Sequence, residues 1–282
     1  MPELPEVETI RRSLLLILKG KVIKKTEIYN PVVIESNNAD ELMDLKGAEI
    51  TDIKRRGKYL LFELIRNDNL YIMVAHMRMT GKLLFDNEIR DIEKHEHVKF
   101  IFEDNSQLAF EDVRRFGRLW LVKSDDIDNV GGLNSLALEP LDEEFTVNYF
   151  KEKIKRKKKS TVKGTLLDQH IVAGLGNIYV DEVLFAAGVH PERKVASLTE
   201  AEIESLVLAM KEILQIAIKN RGTSFRDYVD GNNEKGGMQN FLQVFLKEGL
   251  ECPKCGEIIK RIKVTGRSSY YCPACQKPPF EE

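Results

Sequence analysis

The residues with the most specific chemistry are four cysteines. Cys252-Pro-Lys-Cys255 and Cys272-Pro-Ala-Cys275 are separated by sixteen residues, two Cys-x2-Cys knuckles at the spacing of a zinc ribbon. Each knuckle can turn two thiolates to one side, and an intervening hairpin can bring the pairs together around a tetrahedral ion. Four thiolates close the coordination sphere, so the expected cofactor is one structural Zn2+ with no open position for catalysis. The insert carries Lys260, Arg261, Lys263 and Arg267. A cationic hairpin stapled by zinc suits phosphate groups, although a solvated ribbon making a subunit contact would have the same pattern.

Two further features point to phosphate. Ala173-Gly-Leu-Gly-Asn177-Ile-Tyr fails as a dinucleotide fingerprint, because the third glycine would fall at Tyr179 and no parallel-strand pattern supports it. Two glycines before a helix that Asn177 can cap do suit backbone amides aimed at an anion; an ordinary tight turn between helices is the competing reading. Upstream, Lys151 to Lys163 holds eight basic residues and one acid, and Cys252 to Lys277 holds six and one. A lysine run alone is a solvated helix face, and its pairing with the glycine turn and the basic ribbon is what favours nucleic acid. The opening Pro2-Glu3-Leu4-Pro5-Glu6, in isolation, is helix-start chemistry: proline in the first turn, carboxylates on the positive dipole end.

Elements must position these groups. The 282 residues, 43% hydrophobic and 31% charged, suit two globular domains and exclude collagen-like, low-complexity and mostly disordered classes. The net charge of -2 decides nothing about a polyanionic partner. The longest apolar run is Leu14 to Leu18, far short of a membrane span, and the start lacks signal-peptide character, so a cytoplasmic location is expected. Val7, Ile10, Leu14, Ile17 and Leu18 share one face of a helix over 5–18 that Gly20 stops. Strand-like runs follow at 22–28, 50–53, 59–64, 71–75, 98–102, 108–110 and 119–122, with turn signals at Arg56-Gly57 and Asp104-Asn105. Antiparallel hairpins, and hence a β-sandwich or barrel, are the natural outcome. Near Gly131-Gly132 and Pro140 the periodicity becomes helical, and the best helix runs over 199–220, with Thr199 and Glu202 at capping-box spacing. Residues 222–239 read as a long loop, of the length usually reserved for function or disorder.

Beyond these local readings, the chain resembles the bacterial formamidopyrimidine-DNA glycosylases, whose opening Pro-Glu-Leu-Pro-Glu it shares. The matching strings are Arg55-Arg-Gly-Lys58-Tyr-Leu, His76-Met-Arg-Met79-Thr-Gly81, His95-Glu-His97-Val, Asp112-Val-Arg114-Arg-Phe116-Gly117, Leu166-Leu-Asp-Gln169, Ala173 to Glu182 and the two knuckles. The resemblance implies an α+β, multidomain fold: a catalytic β-sandwich with an opening helix over 1–132, a helical helix-two-turn-helix DNA-binding domain with a lesion-capping loop over 133–240, and a four-cysteine zinc finger over 241–282.

It also implies chemistry. With Met1 removed, the secondary amine of Pro2 would attack the sugar C1′ of a damaged nucleotide. A terminal amine has a reference pKa of about 8, so a useful fraction is neutral near pH 7. The resulting iminium acidifies the C2′ proton and permits β,δ-elimination of the flanking phosphates. Glu3 would serve as acid/base group, Glu6 as a supporting carboxylate, Lys58 in acid/base and phosphate chemistry, and Arg267 as the phosphate grip. Met79, Arg114 and Phe116 would fill the gap left by the everted base, and His76, His95, Lys158 and Asn177 would contact phosphates. The implied partner is double-stranded DNA carrying an oxidised base or abasic site, bound by a monomeric, nucleoid-associated bacterial protein, with no membrane. An endonuclease VIII-like enzyme for oxidised pyrimidines is the nearest alternative, Leu4 favouring purines; a non-enzymatic zinc-ribbon binder of damaged DNA is a second.

Overall fold

The computed structural model describes residues 2–35, 39–224 and 234–277. Two compact units emerge: residues 1–134 with 220–239, and residues 135–219 with 240–282. The first unit therefore takes in the segment 220–239, which a purely sequential division at 132/133 and 240/241 assigns to the helical part. Its physical reason is a buried hydrogen bond: Thr223 N–H donates to Glu6 Oε1 at 2.7 Å.

The first unit opens with α1 (Leu4–Leu18). Val7, Ile10, Leu14 and Leu18 are buried while Leu16 faces solvent, the one-sided pattern that makes a surface helix amphipathic. Eight strands follow: β1 (Ile23–Ile28), β2 (Glu49–Arg56), β3 (Tyr59–Arg66), β4 (Asn69–His76), β5 (Gly81–Asp86), β6 (Glu96–Phe102), β7 (Gln107–Asp112) and β8 (Arg118–Lys123), with the short helix α2 (Ala39–Met43) between β1 and β2. They form two four-stranded antiparallel sheets, ordered β1-β6-β7-β5 and β2-β3-β4-β8. Phe62 from one sheet, Phe100, Phe102 and Phe110 from the other, and the buried face of α1 share a single apolar core. Each such aromatic contributes roughly 1.5–3 kcal/mol on burial.

All seven strand-like runs become strands. The eighth, β5, has only Leu83 as a fully inward apolar side chain; its extended form comes from pairing with β7, a tertiary effect that a Gly-Lys-Leu-Leu string does not advertise.

The second unit holds α3 (Val147–Ile154), α4 (Val162–Leu166), α5 (Asn177–Ala186), α6 (Glu200–Lys219) and the hairpin β9 (Lys260–Val264) and β10 (Arg267–Tyr271). Helix α6 has the expected reciprocal cap: Thr199 N–H donates to Glu202 Oε2 at 2.8 Å and Glu202 N–H to Thr199 Oγ1 at 3.2 Å. Phe185, Val244, Ile259 and Tyr270 pack with Cys252 and Cys272 in a small separate core. Among the described residues no helix is long and apolar enough to cross a membrane.

Candidate active site and nucleic-acid interface

In the first unit, Pro2 is buried at the start of α1, and Glu3 and Glu6 are 3% and 1% exposed. Glu3 is the N-cap, in extended conformation. Its N–H donates to Glu6 Oε2 at 2.8 Å, while Glu6 Oε1 accepts from Thr223. Each Glu6 oxygen thus holds a backbone amide, one at the head of the chain and one 217 residues away. Gly222 makes this approach possible. Its φ is +71°, and a Cβ there would lie 2.7 Å from Glu6 Oε1. Residues 225–233, the middle of the expected capping loop, fall outside the described residues.

Lys58 lies in the two-residue turn between β2 and β3, where Arg56 pairs with Tyr59. That turn is fixed from α1. Arg55 Nε donates to Glu8 Oε2 at 3.1 Å, and Arg55 Nη1 donates to Gly57 O at 3.2 Å. Lys58 also reaches His76 electrostatically, at the end of β4. Burial first, then the charges of Arg78 and Lys58, push His76 down to about 3, so its imidazole is neutral at physiological pH. His76 Nδ1 accepts Arg78 N–H at 3.0 Å, which assigns the proton to Nε2 and leaves one donor for a phosphate oxygen. The ring of Tyr59 stands edge-on at 4.5 Å from that imidazole.

The expected wedge residues meet. Arg114 Nη1 donates to Met79 Sδ at 3.0 Å, and its guanidinium lies 4.5 Å from the Phe116 ring centroid. Met79 and Phe116 are 45% and 47% exposed, unusual for large apolar side chains clustered on loops. Backbone strain surrounds these positions: Arg78, His95 and Arg115 have φ of 52°, 75° and 58°, a conformation that L side chains adopt at a cost of roughly 1–2 kcal/mol each. His95 is half-buried on its own loop.

In the second unit, Asn177 is the first residue of α5 and Gly176 the cap residue. The expected cap by Asn177 is therefore corrected: its Nδ2 instead donates to Ser268 O at 3.0 Å. The glycine turn is organised by Gln169, which accepts Gly174 N–H at 3.0 Å and donates to Leu175 O at 2.9 Å. Lys157 pairs with Asp168 at 2.9 Å, and Lys158 is exposed beside it. Arg267 opens β10 opposite Val264, across the two-residue Thr265-Gly266 turn, and points its chain out to solvent.

Two residues not singled out from the sequence hold this hairpin, and a third, Glu182, holds the segment before it. Lys163 and Asp181, each with a side chain 0% exposed, pair at 2.7 Å. Lys163 also donates to Ser268 O at 3.0 Å, and Asp181 Oδ2 accepts Tyr270 N–H at 3.0 Å. Burial raises the Asp181 carboxyl against the pull of Lys163. The adjacent Glu182 accepts the amides of Gln243, Val244 and Phe245 at 2.8, 3.0 and 2.9 Å. Two acids inside the apolar string Ile178-Tyr-Val-Asp-Glu-Val-Leu-Phe185 were the available signal, since buried carboxylates need dedicated partners.

The four cysteine sulfurs all lie within 4.8 Å of one another. Cys252 and Cys275 are 3.9 Å apart, and Cys255 is 3.5 Å from both Cys272 and Cys275. A tetrahedron with Zn–S bonds of about 2.3 Å has edges of about 3.8 Å. The donor set and its spacing fit a single structural zinc ion.

Three family models match successive segments of the chain. Residues 1–119 match the formamidopyrimidine-DNA glycosylase N-terminal domain, 136–229 its H2TH domain, and 249–278 a zinc finger found in FPG and IleRS. A curated formamidopyrimidine-DNA glycosylase of Pelotomaculum thermopropionicum is 46% identical over 278 residues, covering 98% of this chain and 99% of its own. Among solved structures, a Lactococcus lactis FPG mutant in complex with Fapy-dG-containing DNA superposes with a TM-score of 0.91 at 41% identity, covering 98% of this chain and 100% of its own. The wild-type L. lactis protein in complex with DNA containing an oxidized pyrimidine gives 0.90 at 40% identity, with the same coverage. The chain belongs to the formamidopyrimidine-DNA glycosylase family.

Proposed function

We propose that this protein excises oxidised purines, 8-oxoguanine and ring-opened formamidopyrimidines, from duplex DNA and then cleaves the strand, with Pro2 as nucleophile. The observation that carries the reading is the clamp on the head of the chain. Glu6 spends both carboxylate oxygens on the amides of Glu3 and Thr223, which holds a buried proline at one fixed place. Such a residue is a poor structural choice and a good amine to present to a sugar carbon.

In the proposed sequence, the Pro2 nitrogen bonds to C1′ as the base leaves, and ring opening gives an iminium between Pro2 and the sugar. Loss of the C2′ proton and departure of the 3′ phosphate follow, then departure of the 5′ phosphate. Glu3 carries protons at the sugar, and Glu6 positions the amine. Lys58, set by the Arg55–Gly57 contact, stabilises negative charge on the leaving phosphates. His76 donates its Nε2 proton to a phosphate oxygen, and His95 contacts the backbone as well. In the second unit Lys158, Asn177 and Arg267 grip phosphates; the zinc ion held by Cys252, Cys255, Cys272 and Cys275 supplies folding stability to the hairpin. Arg267 is a grip rather than a proton carrier, because a guanidinium hardly deprotonates in proteins. Met79, Arg114 and Phe116 fill the vacated stack, Arg114 hydrogen-bonding the orphaned base. Met1, whose removal this chemistry needs, lies outside the described residues.

Borohydride trapping on a duplex with 8-oxoguanine opposite cytosine tests the proposal. The processed protein gives a covalent adduct; Pro2→Gly and a form retaining Met1 give far less. An adduct formed only with an oxidised-pyrimidine duplex would transfer the protein to the endonuclease VIII-like reading. Tight binding with no adduct on any lesion would leave a damaged-DNA-binding protein without the chemistry.

A further inference from the structure

The wedge residues sit on separate loops: Met79 between β4 and β5, Arg114 and Phe116 between β7 and β8. Exposed loops of this kind ordinarily move independently. Here they are joined beneath the surface by one carboxylate. Asp112 is fully buried at the end of β7. Its Oδ1 accepts the Thr80 hydroxyl from the first loop and the Arg114 N–H, the latter at 3.2 Å. Its Oδ2 accepts Gly117 N–H at 2.7 Å, and Thr80 Oγ1 itself accepts Arg114 N–H at 3.2 Å.

The backbone of the same residue reaches the neighbouring loop. Asp112 N–H donates to His95 O at 3.0 Å, and Asp112 O lies 2.7 Å from His97 Nε2. Gly117 allows the tight closure, since a Cβ there would lie 2.6 Å from Phe110 Cζ and 3.1 Å from Asp112 Oδ2. The strained residues Arg78, His95 and Arg115 are one on each of the three tied loops, so the tie also offsets their conformational cost.

We infer that Asp112, acting with Thr80, is a positioning residue that makes the Met79 loop and the Arg114–Phe116 loop a single rigid wedge, so that both enter the duplex in one step. The chemistry of the site requires a carboxylate. Asp112 accepts from donors on both oxygens, so an asparagine in its place must turn an NH2 toward the Gly117 amide or toward the Thr80–Arg114 pair, donor against donor. The role belongs to stack opening and leaves the amine chemistry untouched, and it rests on the reading of the protein as a base-everting glycosylase.

The experiment separates eversion from chemistry. Asp112→Asn and Thr80→Val are compared with the wild type on two substrates: a duplex with 8-oxoguanine opposite cytosine and 2-aminopurine beside the lesion, and a single strand with a preformed abasic site, which offers no stack to open. Loss of a charge-assisted hydrogen bond corresponds to about 10- to 150-fold. Asp112→Asn is expected to lose that factor in duplex excision and in the stopped-flow rise of 2-aminopurine emission, with Thr80→Val moving both in the same direction by less. Strand cleavage at the single-stranded abasic site stays within about twofold. Unchanged duplex kinetics in both variants, or an equal fall on both substrates in Thr80→Val, would overturn the inference. If Asp112→Asn fails to fold, Thr80→Val decides alone. Wild-type protein inactive on both substrates would instead overturn the underlying functional reading.

Discussion

Replacing Glu8 by Gln tests how α1 is locked to the turn that carries Lys58. Glu8 Oε1 accepts from Arg11 Nη2 at 2.8 Å and Arg12 Nε at 2.7 Å; Oε2 accepts from Arg11 Nε at 3.0 Å and Arg55 Nε at 3.1 Å. Burial works to raise the carboxyl, but the bonds and charges of these guanidiniums overcome it and bring the pKa from 4.5 to about 2. A displacement of that size, at 1.36 kcal/mol per pH unit, is worth about 3 kcal/mol of folding stability. The Arg12 side chain is 59% exposed, so solvent screens its share and about 2 kcal/mol is the net expectation. Because the folded-state value is depressed, the stabilisation is complete above about pH 4.5 and is lost as pH falls through it toward 2. Trp120, the single tryptophan, lies buried in β8 of the first unit, so urea unfolding followed by its emission reads that unit directly. Glu8→Gln should lower stability by about 2 kcal/mol at pH 7 and by less than half of that at pH 3. A deficit as large at pH 3 as at pH 7, or none at pH 7, would refute the reasoning.

Gly222→Ala places a Cβ 2.7 Å from Glu6 Oε1 at a φ of +71°. It should cost about 1–3 kcal/mol in the same Trp120 assay, and it should slow adduct formation on Pro2 more than it weakens DNA binding, since what moves is the clamp on the amine. Chelation of the metal should abolish binding to lesion duplex, because unpaired thiolates within 4.8 Å of one another cannot hold the hairpin of Arg267. The Trp120 transition of the first unit should persist, and simultaneous loss of both signals would count against a purely local role for zinc.

Much of the molecule was legible because its physics is local. A turn must carry Cys-x2-Cys, a 3.6-residue period must bury one side of α1, and β-branched runs between Gly and Asn turns must pair as hairpins. The first residues looked like helix-start chemistry, and they are that: Glu3 caps α1 and Glu6 answers it. What their types could not disclose is that Glu6 also accepts an amide from residue 223, since that bond spans most of the chain.

The same limit explains β5, whose extended form depends on β7, and Asn177, whose side chain bonds Ser268 rather than capping its own helix. It also explains the buried charges. Lys163, Asp181 and Asp112 look in sequence like surface residues near motifs, and only packing shows them to be internal partners for backbone groups. Sequence by itself determined most of the elements and the metal ligands, both set by residue type and short spacing, whereas the proposed reactive groups rest on the family resemblance. The tertiary structure decided which carboxylates hold which loops, because a buried charge is satisfied by whatever distant backbone the fold brings within about 3 Å.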